Sequence, residues 1–143
     1  MTVKTILSAK GGNVTTIEPS ADLAAATKLL AEKRIGALLI TGAEGRVVGI
    51  LSERDIVRTL AAHGAAALQL PLSEVMTRKV VTCTESETVS VIMERMTAGK
   101  FRHVPVVEQE RLVGIISIGD VVKHRLQEME QESSALRDYI QTA

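Results

Sequence analysis

An α+β (α/β) fold of two tandem repeats, each in strand-helix-strand-strand-helix order, is expected from three features of this 143-residue chain. The first is a near copy: R-V-V-G-I-L-S-E-R-D-I-V at residues 46–57 returns as R-L-V-G-I-I-S-I-G-D-V-V at 111–122, identical at seven of twelve positions. The second is the pattern inside each copy, an apolar strand that runs into a Ser, then an Asp three residues later, then the apolar face of a helix. The third is the reach of the repetition. Ser20 matches Ser86, Leu30 matches Met96 and Ile35 matches Phe101 at an offset of 66, which falls to 65 where a turn shortens from G-A-E-G to E-Q-E. Surface turns tolerate such a change, so the similarity reads as a duplication.

Taken in order, Val3, Ile6 and Leu7 fit a short lead-in helix, closed by Gly11-Gly12-Asn13. Residues 14–17 are short and β-branched, suited to a strand. Ser20 is placed to cap a helix over 21–33, with Asp22 in its first turn and Leu23, Ala26 and Leu30 on its buried face. Residues 35–41 and 46–51 form the arms of a hairpin, and 52–63 a helix with Ile56, Val57 and Leu60 on one face. The alanine-rich stretch 64–73, with Pro71, joins the halves, and 72–76 resembles the lead-in. In the second half, 80–83 is a strand and Ser86 caps a helix to about 98 that buries Val89, Ile92, Met93 and Met96. Residues 101–107 and 111–117 form a hairpin, and Asp120 opens the last helix. The domain limits expected are 1–66, 67–127 and a C-terminal helical extension over 128–143. In the last helix Val122, Leu126, Met129, Ser133, Leu136 and Ile140 recur at four and three, a seam of a little under three heptads. An amphipathic helix folded back on its own domain and a dimer contact both fit it.

Composition excludes several function classes. The chain carries 17 basic and 17 acidic residues, eight against six up to Pro71 and nine against eleven after it, too even for a strong electrostatic attraction to nucleic acid or an anionic membrane. Phe101 and Tyr139 are the only aromatics, so there is no stacking platform for single strands. The lone Cys83 permits no internal disulfide, and His63, His103 and His124 lack metal-ligand spacing. No run approaches a membrane span and the N-terminus lacks a signal pattern, so a cytoplasmic setting is expected.

No phosphate-binding, dinucleotide, zincin or nucleophile-elbow motif is present, and the chain is expected not to be an enzyme. The pairs Ser52/Asp55 and Ser117/Asp120 fit a helix capping box worth on the order of 1 kcal/mol each, which needs no ligand. Their surroundings differ in a complementary way. Gly119 in one copy lets a ligand approach the backbone, and Arg54 in the other offers a bidentate donor for phosphate. In K-F-R-H-V-P-V-V at 100–107, Arg102 and His103 precede Pro105, whereas the first half has Gly36 and Ala37 at the matching places. A solvated strand start and a phosphate contact both fit the basic pair.

These residues together resemble tandem CBS domains, a Bateman module, here as a stand-alone pair. The resemblance covers about residues 3–127 and rests on the duplicated element order, G-I-L-S-E-R-D, G-I-I-S-I-G-D, F-R-H-V-P-V-V and the V-M-T before the second repeat. It implies a pseudo-twofold pair with two clefts that bind adenine-containing ligands such as AMP, ADP, ATP, NAD or S-adenosylmethionine. It further implies that Asp55 and Asp120 hold ribose hydroxyls, with Ser52 and Ser117 facing ribose or phosphate. Arg102 and His103 would meet phosphates, and Thr16, Ile17, Thr82 and Cys83 would flank adenine. Gly36 and Ala37 lack the basic pair, which implies two unlike clefts. An ionised Asp is acceptor-only and suits two vicinal hydroxyls.

The reading that follows is a regulatory, homodimeric sensor of adenine nucleotides that acts on a separate protein chain, without nucleic acid or membrane as partner. The alternative is a ligand-independent assembly or scaffold unit in which both Ser-x-x-Asp pairs are only caps and the C-terminal seam is the working surface. A small hydrolase using Cys83 or His103 is a third.

Overall fold

The computed structural model describes residues 1–142, so Ala143, the end of the expected extension, lies outside the described residues. The order is α1 (Val3–Lys10), β1 (Thr16–Ile17), α2 (Leu23–Lys33), β2 (Ala37–Thr41), β3 (Val47–Ser52), α3 (Glu53–His63), α4 (Leu72–Val75), α5 (Val89–Gly99), β4 (His103–Glu108), β5 (Arg111–Ser117) and α6 (Ile118–Thr142). Short 3-10 turns cover Ala43–Gly45 and Gly64–Gln69. No helix among the described residues is long and apolar enough to cross a membrane. The chain forms two compact units that are not contiguous in sequence. One holds Asn13–Val81 with Glu108–Val113; the other joins Met1–Gly12 to Thr82–Val107 and to the chain from Gly114 onward.

The unit built on Asn13–Val81 carries a three-stranded sheet in the order β1-β2-β3. β1 runs parallel to β2, with Ile17 opposite Ile40, and β2 pairs antiparallel with β3, with Ala37 opposite Ser52. β2 reads A-L-L-I-T and is buried along all but its last residue, as an apolar run covered on both faces should be. Leu23, Ala26 and Leu30 of α2 pack with Leu38, Ile40, Leu51, Ile56, Ala67 and Leu72 into one core. α2 begins two residues later than expected: Asp22 is its N-cap, accepting from the Ala25 N–H at 2.8 Å, and Ser20 lies outside. The cause is long-range. Asp22 is bridged to Pro71, Leu23 N–H donates to Leu70 O and Leu72 N–H donates to Ala21 O, which holds residues 21–22 extended. On α3 the buried positions are Asp55 and Ile56, and Val57 and Leu60 are 66% and 37% exposed, contrary to expectation, because the inward face carries the Asp55 carboxylate, which accepts hydrogen bonds from Ser52 and Thr77.

The other unit is built on α1, α5, most of β4, the second half of β5 and α6. Val3 and Ile6 of α1 are fully buried, as are Val89 and Ile92 of α5. Thr88, bridged to Thr2, is the N-cap of α5 in place of Ser86, for the same reason that Asp22 caps α2. The two-residue connection Gln109-Glu110 has φ of 51° and 65°, the positive values that a tight two-residue hairpin turn requires. Residues 80–83 do not form the expected strand. Only Cys83 keeps the equivalent of β1, a parallel bridge to Val106 in which its N–H donates to Pro105 O and its O accepts from Val107 N–H.

The lead-in segments explain the crossing of chain and unit. Thr2 meets Thr88 while Pro71 meets Asp22, so the segment before each repeat packs onto the other repeat. Gly114 of β5 and Gly49 of β3 are the matching contact points. A Cβ on Gly114 would lie 2.5 Å from the Leu7 side chain, and one on Gly49 would lie 2.5 Å from that of Met76.

Candidate functional site

Both strand-to-helix junctions close as capping boxes. In the first, Ser52 is the N-cap of α3 and Asp55 N–H donates to Ser52 Oγ at 3.4 Å, while Asp55 Oδ2 accepts from Ser52 N–H at 3.0 Å and from Ser52 Oγ at 3.2 Å. Asp55 is 5% exposed, and its Oδ1 accepts from Thr77 Oγ1 at 3.1 Å, with the Arg58 guanidinium 3.7 Å away. A pocket of about 320 Å³ borders it, lined also by Arg58, Thr59, His63, Glu74 and Val75. A buried carboxylate requires such partners, because a buried polar group left without hydrogen bonds is costly.

In the second junction Asp120 N–H donates to Ser117 Oγ at 3.2 Å and Asp120 Oδ2 accepts from Ser117 N–H at 2.9 Å. The same oxygen accepts from Lys10 Nζ at 2.7 Å, and Lys10 Nζ also donates to Ile115 O at 3.0 Å. Burial pushes the Asp120 carboxyl upward, but the hydrogen bond from Lys10, the Ser117 N–H and the ammonium charge outweigh it and hold the group below the usual carboxylate value. At neutral pH this is a bound carboxylate beside a cation.

The backbone draws the start of each hairpin to its junction. Glu53 N–H donates to Gly36 O at 3.1 Å, and Ile118 N–H donates to Arg102 O at 2.8 Å. Gly36 and Ala37 therefore lie beside Ser52 and Asp55, and Arg102 and His103 beside Ser117 and Asp120. Thr16 and Ile17 join the first group through their pairing with Leu39 and Ile40. Thr82 and Cys83 join the second through the bridge of Cys83 to Val106. Arg102 and Arg54 are exposed, His103 is half-buried and Cys83 is buried. The expected residues thus fall into two sets, one in each unit.

Lys10 and Thr77 were not among the residues expected at either junction. Each comes from the lead-in that packs on the opposite repeat, just after Leu7 and Met76, the residues that meet the two glycines. The likeness of residues 72–76 to the lead-in, and the V-M-T that ends in Thr77, carry the signal for this arrangement. The two junctions consequently differ in charge: a hydroxyl with a distant Arg58 faces Asp55, an ammonium in direct contact faces Asp120.

Comparison with known proteins bears on the family and the fold. The CBS domain family matches residues 3–62 and 72–127. The chain is 49% identical to the CBS-domain containing protein ATU1752 of Agrobacterium tumefaciens, whose crystal structure superposes with a TM-score of 0.84 over 87% of this chain and 92% of that one. The CBS domain pair of MJ0100, solved in complex with 5′-methylthioadenosine and S-adenosyl-L-methionine, is 29% identical, with a TM-score of 0.79 over 90% of this chain and 98% of that one. Among curated relatives, the CBS domain-containing protein YhcV of Bacillus subtilis is 30% identical over 86% of both chains. The mitochondrial CBS domain-containing protein CBSX3 of Arabidopsis thaliana is 32% identical over 81% of this chain; the match spans 58% of that protein, and in the longer CBSCBSPB5 of the same plant 21%.

Proposed function

The chain belongs to the CBS domain family, and on that premise we propose that it is a non-catalytic regulatory module that binds adenine-containing nucleotides at its Ser-x-x-Asp junctions. The observation that carries this reading is the second junction. A carboxylate at a helix N-terminus suits the vicinal hydroxyls of a ribose, and Lys10, Arg102 and His103 of the same unit suit phosphates. The ligand class is supported by the adenosine compounds bound in the MJ0100 pair. Ribose hydroxyls that take Asp120 Oδ2 displace Lys10 from it, and the released ammonium turns to the phosphate. Binding of AMP, ADP, ATP or NAD then shifts the conformational population of a homodimer in the cytoplasm, which a separate protein reads.

Calorimetric titration with AMP, ADP, ATP, NAD and S-adenosylmethionine tests the proposal, alongside Asp120→Ala. At least one ligand should bind and raise the melting temperature, as linkage requires. Asp120→Ala should weaken it by about tenfold or more, the value of one charge-assisted hydrogen bond. The substitution removes half of a capping box and the ion pair to Lys10, each worth about 1 kcal/mol, so the fold should persist with a loss of about 2 kcal/mol. Absence of heat and of any thermal shift with all five ligands would sink the idea.

One observation favours a second reading, ligand-independent assembly through α6: both carboxylates already have protein donors, and the apolar seam of α6 is exposed. Truncation after Gln127 separates the two. Assembly should be lost under this reading, while nucleotide binding should survive under the first.

A further inference from the structure

α6 presents two faces of opposite character. Val121 and His124 are buried and Glu128 is half-buried, a stripe at helical spacing that holds the first turns to their own unit, where α6 packs on α5. The neighbouring face carries Val122, Leu126, Met129, Leu136 and Ile140, exposed by 40, 56, 52, 60 and 65%. Every described residue from Met129 to Thr142 is exposed, yet the chain stays helical to Thr142. A single helix of that length in water is marginal without packing.

We propose that this seam pairs with a second copy of the chain as a parallel, in-register, two-stranded coiled coil. The inference deepens the homodimer in the proposed function and rests on it. The reason for a second copy, and for this orientation, lies in the charges that flank the seam. With Val122, Met129 and Leu136 at d and Leu126, Ser133 and Ile140 at a, the g positions include Arg125 and Glu132 and the e positions include Glu130 and Arg137. In a parallel pair each g residue faces the e residue of the next heptad on the other helix. Arg125 then meets Glu130 and Glu132 meets Arg137, twice each by symmetry, and no like pair arises. Arg125 is within reach of such a contact; in the single chain it lies 3.5 Å from Glu128. An antiparallel pair over the same span sets Glu130 against Glu130, Glu132 against Glu132 and Lys123 against Arg137, all repulsive. Ser133, the one polar a residue, weakens the seam while marking its register.

The test uses two double variants of the full chain. Arg125→Glu with Arg137→Glu makes every flanking pair acidic, and Glu130→Arg with Glu132→Arg makes every pair basic. Sedimentation should show a dimer for the native chain, dimerisation at least about tenfold weaker for each variant alone, and recovery in an equimolar mixture. Leu136→Cys should cross-link to itself under oxidation, since d faces d only in the parallel register, while the native Cys83 is buried. Recovery in the mixture together with the Leu136→Cys link supports the proposal. A native dimer unaffected by both charge variants would overturn the coiled coil but leave the homodimer standing; a native monomer would overturn both. A Leu136→Cys dimer that fails to link while the mixture recovers would overturn the parallel orientation.

Discussion

Ile6→Ala is the perturbation that most directly probes the crossing of chain and unit. Ile6 belongs by position to the segment before the first repeat, but it is fully buried in the unit that contains the second, beside Val3 and one residue from the Leu7 contact with Gly114. Truncating a buried Ile costs about 2–5 kcal/mol, depending on how far the site collapses. Here collapse is restrained, because α1 is tied down by Val3 N–H to Glu87 O at 2.9 Å, Lys4 N–H to Glu85 O at 3.0 Å and Lys10 to Asp120 at 2.7 Å. A loss of about 3–4 kcal/mol is therefore expected, a large share of the ~5–15 kcal/mol that holds a typical domain. Hydrogen exchange read by segment is the assay. Protection should fall in Val89–Gly99 and His103–Glu108 of the second repeat and change little in Leu23–Lys33 and Ala37–Thr41 of the first. A loss of protection centred on those first-repeat elements would refute the assignment of α1 to the other unit.

Lys10→Met should remove the ion pair to Asp120, whose partners are about one-third and one-fifth exposed; after solvent screening the cost is about 1 kcal/mol. Because the Asp120 carboxyl sits below its usual value of 3.8, the stabilisation is present above that value and is lost as pH falls through the lower, folded-state value. The difference in melting temperature between the native chain and Lys10→Met should accordingly be full at pH 7 and shrink in strong acid. Arg34→Gly relieves a left-handed C-cap at φ 55° and should raise stability by about 1 kcal/mol in denaturant titration. Gly114→Ala should do the reverse, by about 1–3 kcal/mol, because the new methyl would meet Leu7 at 2.5 Å. Cys83→Ala should lower stability by about 0.5–3 kcal/mol in denaturant titration, since a buried thiol at a strand bridge serves packing.

Much of this molecule was legible in one dimension because its signals are local. The duplicated G-I-L-S-E-R-D and G-I-I-S-I-G-D fixed two strand-to-helix junctions, and both formed as Ser-x-x-Asp boxes with the expected residues beside them. Such a box spans four residues, so its chemistry is complete within the span that a pattern can read. Helix starts were less legible. Ser20 and Ser86 have the right side chain for a cap, but Asp22 and Thr88 took the role because pairing with Pro71 and Thr2 holds the backbone extended there.

The partners of the two carboxylates depended wholly on the folded chain. Lys10 reaches Asp120 across 110 positions and Thr77 reaches Asp55 across 22, and no spacing rule of helix or strand connects either pair. What unites them is the packing of each lead-in onto the opposite repeat, where a glycine in the strand leaves room for Leu7 or Met76. Local patterning therefore set the two Ser-x-x-Asp caps and the apolar seam of α6. Tertiary packing set the charge at each junction, because charge there depends on which distant segment comes to rest against the carboxylate.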